Sequence, residues 1–173
     1  MITIRRAALP EDRDLVFELF AEYLPWICAR IYQEYQLVFD PESILAHDMA
    51  HLDRYLPPAG FLLLAFDSGA LAGCAGARRH SPDIGELKRM YVRPEFRGKG
   101  IGRQLLVETL RAAQSAGFAR LRLDSARFMH AAHSLYRSAG FAEIAPYKGS
   151  EVPIEHSSHW FYMELDLTGS QAG

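Results

Sequence analysis

Cysteine is scarce in this chain: only Cys28 and Cys74 occur among 173 residues, and they lie far apart. Without a Cys-x-x-Cys pair, the sequence excludes a disulfide-stapled scaffold and a cysteine zinc site. We interpret both residues as small apolar residues of the core or surface.

Long hydrophobic runs and an excess of basic charge are also lacking. The longest apolar run, 61–66, is too short to span a bilayer, and the first six residues lack the apolar segment of a secretory signal. We therefore expect a cytoplasmic protein without a membrane partner. The formal net charge of −2 argues against a nucleic-acid partner, which normally requires a basic excess.

The remaining composition is typical of one globular domain. Apolar residues make up 49% of the chain and charged residues 23%, which does not suit a disordered protein. No repeat, low-complexity tract or linker divides the chain, so we predict a single domain over residues 1–167. The small polar segment 168–173 is predicted to be a disordered tail.

Hydrophobic periodicity predicts an alternation of strands and helices. Strands are expected over 2–6, 61–66, 70–79, 86–92, 119–125 and 160–167, and helices over 10–24, 101–116 and 131–139. Pro25 is expected to end the first helix, and 26–58 reads as further helical pieces. Strict alternation within 86–92 predicts one face with Leu87, Arg89 and Tyr91.

The order of these elements predicts a mixed sheet. Short connections between 61 and 92 imply antiparallel pairs, whereas the strand–helix–strand unit over 86–124 requires a crossover and therefore a parallel pair. We expect an α+β fold of three α/β/α layers, with a mostly antiparallel sheet of about 6–7 strands.

Three glycines, Gly98, Gly100 and Gly102, lie between the strand at 86–92 and the next helix. Without Cβ atoms, successive N–H groups there can point into one concavity at the helix N-terminus, which suits a pyrophosphate. The interleaved residues Arg97, Lys99 and Arg103 add positive charge. The dinucleotide pattern GxGxxG and the P-loop pattern are not matched. A tight turn that only caps the helix is the alternative.

The segment Arg97-Gly-Lys-Gly-Ile-Gly102 fits the [Q/R]xxGxG/A motif of the GNAT superfamily of N-acetyltransferases. The preceding segment 87–96 resembles the central strand of that family, and 131–141, with Tyr136 and Gly140-Phe141, resembles the helix and turn that close its cofactor site. The resemblance follows the element order over 2–167 and is sharp over 86–141.

This resemblance implies acyl-CoA in a V-shaped opening where two parallel central strands, here 86–92 and 119–125, splay apart. It implies acetyl-CoA as co-substrate and no metal. Backbone groups of Met90, Tyr91 and Val92 would pair with the pantetheine arm. The residues implied to hold the pyrophosphate are Arg97, Gly98, Lys99, Gly100, Ile101, Gly102 and Arg103.

Attack of an amine on a thioester requires a proton acceptor, a polarised carbonyl and a proton donor near sulfur. Glu86, which opens the central strand, is the candidate base, with His80 second; a surface glutamate is the alternative. Tyr136 is the candidate acid by resemblance, with a core tyrosine as the alternative.

Other side chains carry weaker hypotheses. The pairs His47/His51 and His130/His133 have helical spacing but no third metal ligand, so we predict no metal site. His156 and His159 could line the acceptor mouth or be solvated.

The aromatic residues predicted to form an acceptor wall are Trp26, Tyr32, Tyr35 and Phe39. Arg30, with Arg78 or Arg79, could bind a substrate carboxylate. Core packing and surface charge are the alternatives for these last two groups.

The resemblance thus implies an N-acetyltransferase that moves an acetyl group from acetyl-CoA to a primary amine of a small or amino-acid-like acceptor, in a ternary complex. A protein or peptide N-acetyltransferase and a non-catalytic CoA-binding module are the alternatives. Homodimers are common in the family, but these residues specify no interface.

Overall fold

The computed structural model describes residues 1–169. Residues 170–173, most of the predicted tail, lie outside this range, and Thr168 and Gly169 form a turn after the last strand. Within residues 1–169, no helix is both long enough and apolar enough to cross a membrane.

Residues 1–169 form seven strands and four α-helices. The strands are β1 (Ile2–Arg6), β2 (Gly60–Asp67), β3 (Ala70–Ser81), β4 (Ile84–Val92), β5 (Arg120–Ala126), β6 (Ala142–Ile144) and β7 (Trp160–Asp166). The helices are α1 (Arg13–Tyr35), α2 (Pro41–Ala50), α3 (Ile101–Ser115) and α4 (His130–Ser138). Short 3-10 helices cover Leu52–Tyr55, Pro94–Phe96 and Ile154–His159.

All seven strands form one mixed sheet in the order β1-β2-β3-β4-β5-β7-β6. The pair β4–β5 is parallel and the other five pairs are antiparallel. This confirms the predicted mixed sheet and the crossover made by α3. The strand β6 is three residues long, too short to have shown a period in the sequence.

Helices cover both faces of the sheet. On one face, Ile101, Leu105 and Leu106 of α3 join a core cluster that also contains Tyr136 of α4. On the other face, Leu19 and Phe20 of α1 pack with residues of α2, β2 and β3. The predicted α/β/α layering is confirmed.

Pro25 does not end α1, and this sequence-based expectation is wrong. The helix runs on to Tyr35 with Pro25 inside it. A proline in a helix interior removes one backbone hydrogen bond and costs about 3 kcal/mol. Leu24, Cys28 and Ile31 are all buried along the same helix, and their packing offsets that cost.

The alternation predicted for β4 is also wrong, because the strand contains a β-bulge. Cys74 pairs with Tyr91 but Gly76 pairs with Lys88, so three steps on β4 face two steps on β3. Arg89 sits in the bulge with φ of 54°. As a result Leu87 packs on the α3 side of the sheet, while Tyr91 packs on the α1 side.

Candidate active site

The parallel pairing of β4 with β5 is short. It comprises Ile84 with Arg120, Gly85 with Leu121, and Glu86 with Arg122. Beyond these pairs β4 stays paired with β3 up to Val92, and β5 stays paired with β7 up to Ala126. The edges that face each other therefore have no strand partner, and a cavity of about 570 Å³ opens between them.

Residues of several elements besides the two strands line this cavity. Tyr23, Trp26 and Arg30 of α1 line one side, and Leu135 and Tyr136 of α4 line another. Phe128 and Trp160, which flank β5 at its far end, also line it. Because Pro25 lies inside α1, Tyr23 and Arg30 belong to the same helix and share one wall.

The glycine loop meets the cavity at the N-terminus of α3. Gly98 and Gly100 have φ of 78° and 81°, where side chains are strained, and open space lies beside both Cα atoms. Gly100 is the N-cap of α3, and no side chain of residues 1–169 caps the helix there. The first N–H groups of α3 are therefore free for an anion.

The side chains of this loop are placed differently from one another. Met90, Tyr91, Val92, Arg97 and Gly102 line the cavity. Ile101 is 1% exposed, so only its backbone could meet a ligand. Lys99 binds Asp67 at 2.9 Å, and Arg103 lines a separate groove beside β1. Of the three predicted basic side chains, Arg97 alone borders the cavity between β4 and β5.

Tyr136 lies in the cavity wall with its hydroxyl group directed at β4. The hydroxyl donates to Sδ of Met90 at 3.7 Å, and the ring packs near Phe141. Burial raises the pKa of Tyr136 well above its ordinary value. The phenol therefore keeps its proton at neutral pH, as a proton donor must.

A cluster of seven charged side chains, which we call the basal ion-pair network, lies at one end of the cavity, and four of them, Lys88, Arg89, Asp124 and Glu151, line it. Its members are Asp48, Arg78, Glu86, Lys88, Arg89, Asp124 and Glu151. Three cations face four carboxylates. Pairing of this kind is required to bury so much charge.

Glu86 lies below the surface of the cavity. Its side chain is 1% exposed and is not among the groups that line the cavity. Arg78 donates to Oε1 at 3.1 and 2.9 Å, and the Tyr147 hydroxyl donates to Oε2 at 2.9 Å. Lys88 Nζ is 3.4 Å from Oε1. Both carboxylate oxygens therefore have donors, and the carboxylate of Glu86 does not line the cavity.

Asp124 and Glu151 are the carboxylates of the network that line the cavity. Lys88 and Ser150 both donate to Oδ2 of Asp124, at 3.2 and 3.0 Å, which leaves Oδ1 available. Although burial opposes it, the cations Lys88, Arg89 and Arg78 lower the pKa of Glu151 to about 2. Glu151 is therefore a weak proton acceptor.

The sequence and the fold were compared with known proteins. The family model of the acetyltransferase (GNAT) family matches residues 17–141. A protein of Schizosaccharomyces pombe named as an N-acetyltransferase is 30% identical over 169 residues, which cover 96% of each chain. The chain belongs to this family. It is an acyl-CoA-dependent N-acyltransferase.

Two further relatives of this GNAT enzyme bear on its ligands. The PaiA N-acetyltransferase of Thermoplasma acidophilum, solved in complex with coenzyme A, is 25% identical with a TM-score of 0.70 and coverage of 96% and 99%. The N-acetylaspartate synthetase of Rattus norvegicus is 37% identical over 106 residues, 60% of this chain. The match covers only 36% of that synthetase.

The remaining predicted residues are dispersed. Tyr35 and Phe39 pack on Trp160 in a core cluster, and Tyr32 is 52% exposed, so Trp26 alone of the predicted aromatic wall lines the cavity. His159 stacks on Tyr35.

Of the remaining histidines and arginines, His130 lines the cavity, and several others have partners elsewhere. The Nδ1 atom of His51 donates to the His47 carbonyl oxygen, and the Nε2 atom of buried His133 is hydrogen-bonded to Ser125 Oγ. The ring of His80 lies 5.2 Å from that of Tyr147. Arg79 donates to backbone oxygens of Pro58 and Pro82. Among residues 1–169, no three His, Cys, Asp or Glu side chains are grouped to hold a metal ion.

Sequence reasoning missed four groups of this GNAT site: Tyr23, Lys88, Asp124 and Glu151. Asp124 lies in the predicted strand 119–125, which runs parallel to the strand of Lys88, and this arrangement could have indicated that the two side chains meet. Tyr23 was missed because we expected the helix to end at Pro25, before the part of α1 that also lines the cavity. Glu151 lies between β6 and β7 in a segment without a periodic pattern, so the sequence carries no signal for it.

Proposed function

We propose that this chain transfers an acetyl group from acetyl-CoA to a primary amine of a small, amino-acid-like acceptor, by direct attack in a ternary complex. The observation that carries the proposal is the opening between β4 and β5. It has free helix N–H groups at one end and a charged network at the other. The relative named N-acetylaspartate synthetase, whose name denotes an acetylated amino acid, supports this acceptor class.

The free edge of β4 suits the extended pantetheine arm. Beyond Glu86, the side of β4 that faces β5 has no strand partner, so its N–H and C=O groups are free to pair with an amide-containing chain. Backbone groups of Met90, Tyr91 and Val92 would take this part, and one N–H would polarise the thioester carbonyl. Residues 97–103 would hold the diphosphate, with Arg97 as its side-chain cation.

Tyr136 is proposed as the proton donor to the departing thiolate. Its hydroxyl group already contacts a sulfur atom of the β4 edge at 3.7 Å. As the amine attacks the carbonyl carbon, the C–S bond breaks and the electron pair goes to sulfur. The phenolic proton of Tyr136 then passes to this thiolate, and CoA leaves as the free thiol.

Asp124 is proposed as the group that takes the proton from the acceptor ammonium. It lines the cavity and keeps Oδ1 free, whereas both oxygens of Glu86 are occupied. We therefore propose that Glu86 is a positioning residue, which holds Lys88 and Arg78 in place. The direct role of Glu86 that we predicted from sequence is the competing assignment.

Release of free thiol from acetyl-CoA, measured across a panel of small amines and peptides, tests the proposed function. At least one small amine should stimulate release. A Tyr136→Phe variant should lower kcat about 100-fold while keeping the dissociation constant for CoA, because its ring packs as before. If the protein binds CoA but no amine stimulates release, it is a binding module. If peptides alone do so, the acceptor class is wrong.

A further inference from the structure

Arg30 lines the cavity with part of its guanidinium group unpaired. Its Nη2 atom donates to Glu34 at 2.9 Å, in an exposed pair one turn apart on α1. Its Nε atom is buried and has no acceptor among residues 1–169. A buried N–H without a partner is uncommon and costs free energy. A ligand in the cavity could supply an acceptor once the Arg30 side chain shifts to expose this N–H group.

Two of the other Lys and Arg side chains that line the cavity are held by carboxylates. Lys88 lies within 3.2 to 3.8 Å of three carboxylates, and Arg89 binds Asp48 and Glu151. Arg97 belongs to the proposed diphosphate end, where its Nε donates to the Val92 carbonyl at 3.0 Å. Arg30 is thus the lining Lys or Arg side chain that lies outside both the basal ion-pair network and the proposed diphosphate end.

The surroundings of Arg30 favour a charge-assisted contact. Its guanidinium carbon is 5.2 Å from the centre of the Phe128 ring, and Ile27 and Met129 also line this part of the cavity. Few polar groups compete here, which strengthens an ion pair. The carboxylates Asp124 and Glu151 lie in the same cavity, so it offers a positive group and negative groups to one ligand.

We propose that Arg30 binds a carboxylate of the acceptor, so that preferred acceptors are amines that also carry a carboxylate next to apolar carbon atoms. The inference rests on the proposed function and narrows its substrate class. A carboxylate suits the site better than a phosphate dianion. The basal ion-pair network already has one more carboxylate than cations, and planar carboxylates match the guanidinium edge.

Acceptors compared as free acid and as amide, such as phenylalanine with phenylalaninamide and β-alanine with its amide, test this assignment. The wild-type protein should favour the free acid by roughly 100-fold in kcat/KM. Arg30→Gln should abolish that preference and leave the affinity for CoA unchanged. The free acid and the amide differ in the pKa of their amines. This difference affects every variant equally, so it cancels when the ratio of kcat/KM for acid and amide is compared between variants.

Glu34→Gln is the matched control, because it removes the ion pair on α1 but leaves the guanidinium in place. It should keep the preference for the free acid. Three outcomes overturn the inference: equal use of acid and amide by the wild-type protein, an equal loss on both in Arg30→Gln, or the same effect from Glu34→Gln. In these cases amines are still acetylated and the proposed function stands. If CoA binds and no amine reacts, the proposed function itself fails.

Discussion

Asp124 and Glu86 belong to one network but differ in which of their oxygen atoms are free. Asp124 keeps Oδ1 unpaired beside the cavity, while Arg78 and Tyr147 occupy both oxygens of Glu86. At the scale of single residues, this difference separates a group that can receive a proton from one that holds its neighbours in place.

Asp124→Asn should therefore lower kcat/KM about 100-fold at neutral pH, because it removes the proposed proton acceptor. Raising the pH toward 10 should restore much of the activity, since the acceptor amine then loses its proton in solution. A pH–rate profile for each variant measures this.

Glu86→Gln is the comparison. It should lower the free energy of unfolding by about 3 kcal/mol, because buried cations lose a partner, and high pH should not restore its activity. If Glu86→Gln is the variant that high pH rescues, while Asp124→Asn keeps its activity, Glu86 is the base and our assignment of Asp124 is wrong.

Gly100 is required for its backbone conformation and not for lack of space. Its φ is 81°, and no atom lies within 4 Å of a Cβ built there. Gly100→Ala should cost about 1 kcal/mol of stability through the left-handed conformation and weaken CoA binding about ten-fold by displacing the N–H groups of α3.

Gly117→Ala is the matched control for this prediction. Gly117 has φ of 80° and equally open surroundings, but it lies after the C-terminus of α3. Gly117→Ala should lose the same stability as Gly100→Ala, as measured by urea unfolding. Its affinity for CoA, measured by calorimetry, should not change. Equal affinities for CoA in both variants would exclude the loop as the diphosphate site.

At the scale of elements, the position of α1 depends on Arg93, which directly follows β4. Arg93 donates to the Leu71 carbonyl at 2.8 Å and to Glu18 and Glu22 of α1. The same helix carries Tyr23, Trp26 and Arg30 into the cavity. One side chain thus joins the strand that would bind the co-substrate to the helix that would bind the acceptor.

Arg93→Ala should lower the free energy of unfolding by about 2 kcal/mol, since charged hydrogen bonds are lost. It should also raise the KM for the acceptor more than that for acetyl-CoA, because α1 is the proposed acceptor wall. Urea unfolding and steady-state kinetics measure the two effects. Arg111→Ala, which removes an exposed pair with Glu108, should change neither. A proportional rise in both KM values would contradict this role of α1.

Local patterns predicted the elements well and the walls of the site poorly. The glycine loop and the stripe of α3 are encoded within a few residues, so periodicity and turn chemistry reveal them. The continuation of α1 past Pro25 depends on tertiary packing, and the bulge at Arg89 depends on pairing with β3. Residues that meet only through such contacts, including Arg30, Asp124 and Glu151, could not be assembled from sequence.

At the scale of the whole molecule, the sheet consists of two leaves. One contains β1–β4 and the other β5, β7 and β6. Within residues 1–169, the two leaves are joined by three backbone-paired residue pairs, from Ile84–Arg120 to Glu86–Arg122, and by side chains of the basal ion-pair network. The angle between the two leaves is therefore weakly restrained on the side of the cavity. Amide hydrogens of 87–92 and 123–126 that face the gap should exchange quickly with solvent.

A bound co-substrate would lie between β4 and β5 like an eighth strand, and it would connect the two leaves only while it is bound. Saturating CoA should slow exchange on both leaves together, as hydrogen-exchange mass spectrometry can record, whereas protection limited to 97–103 would refute this coupling. Because the ligand would complete the sheet, the enzyme would gain its full rigidity only while loaded, and the acceptor would meet a finished pocket only after the co-substrate had arrived.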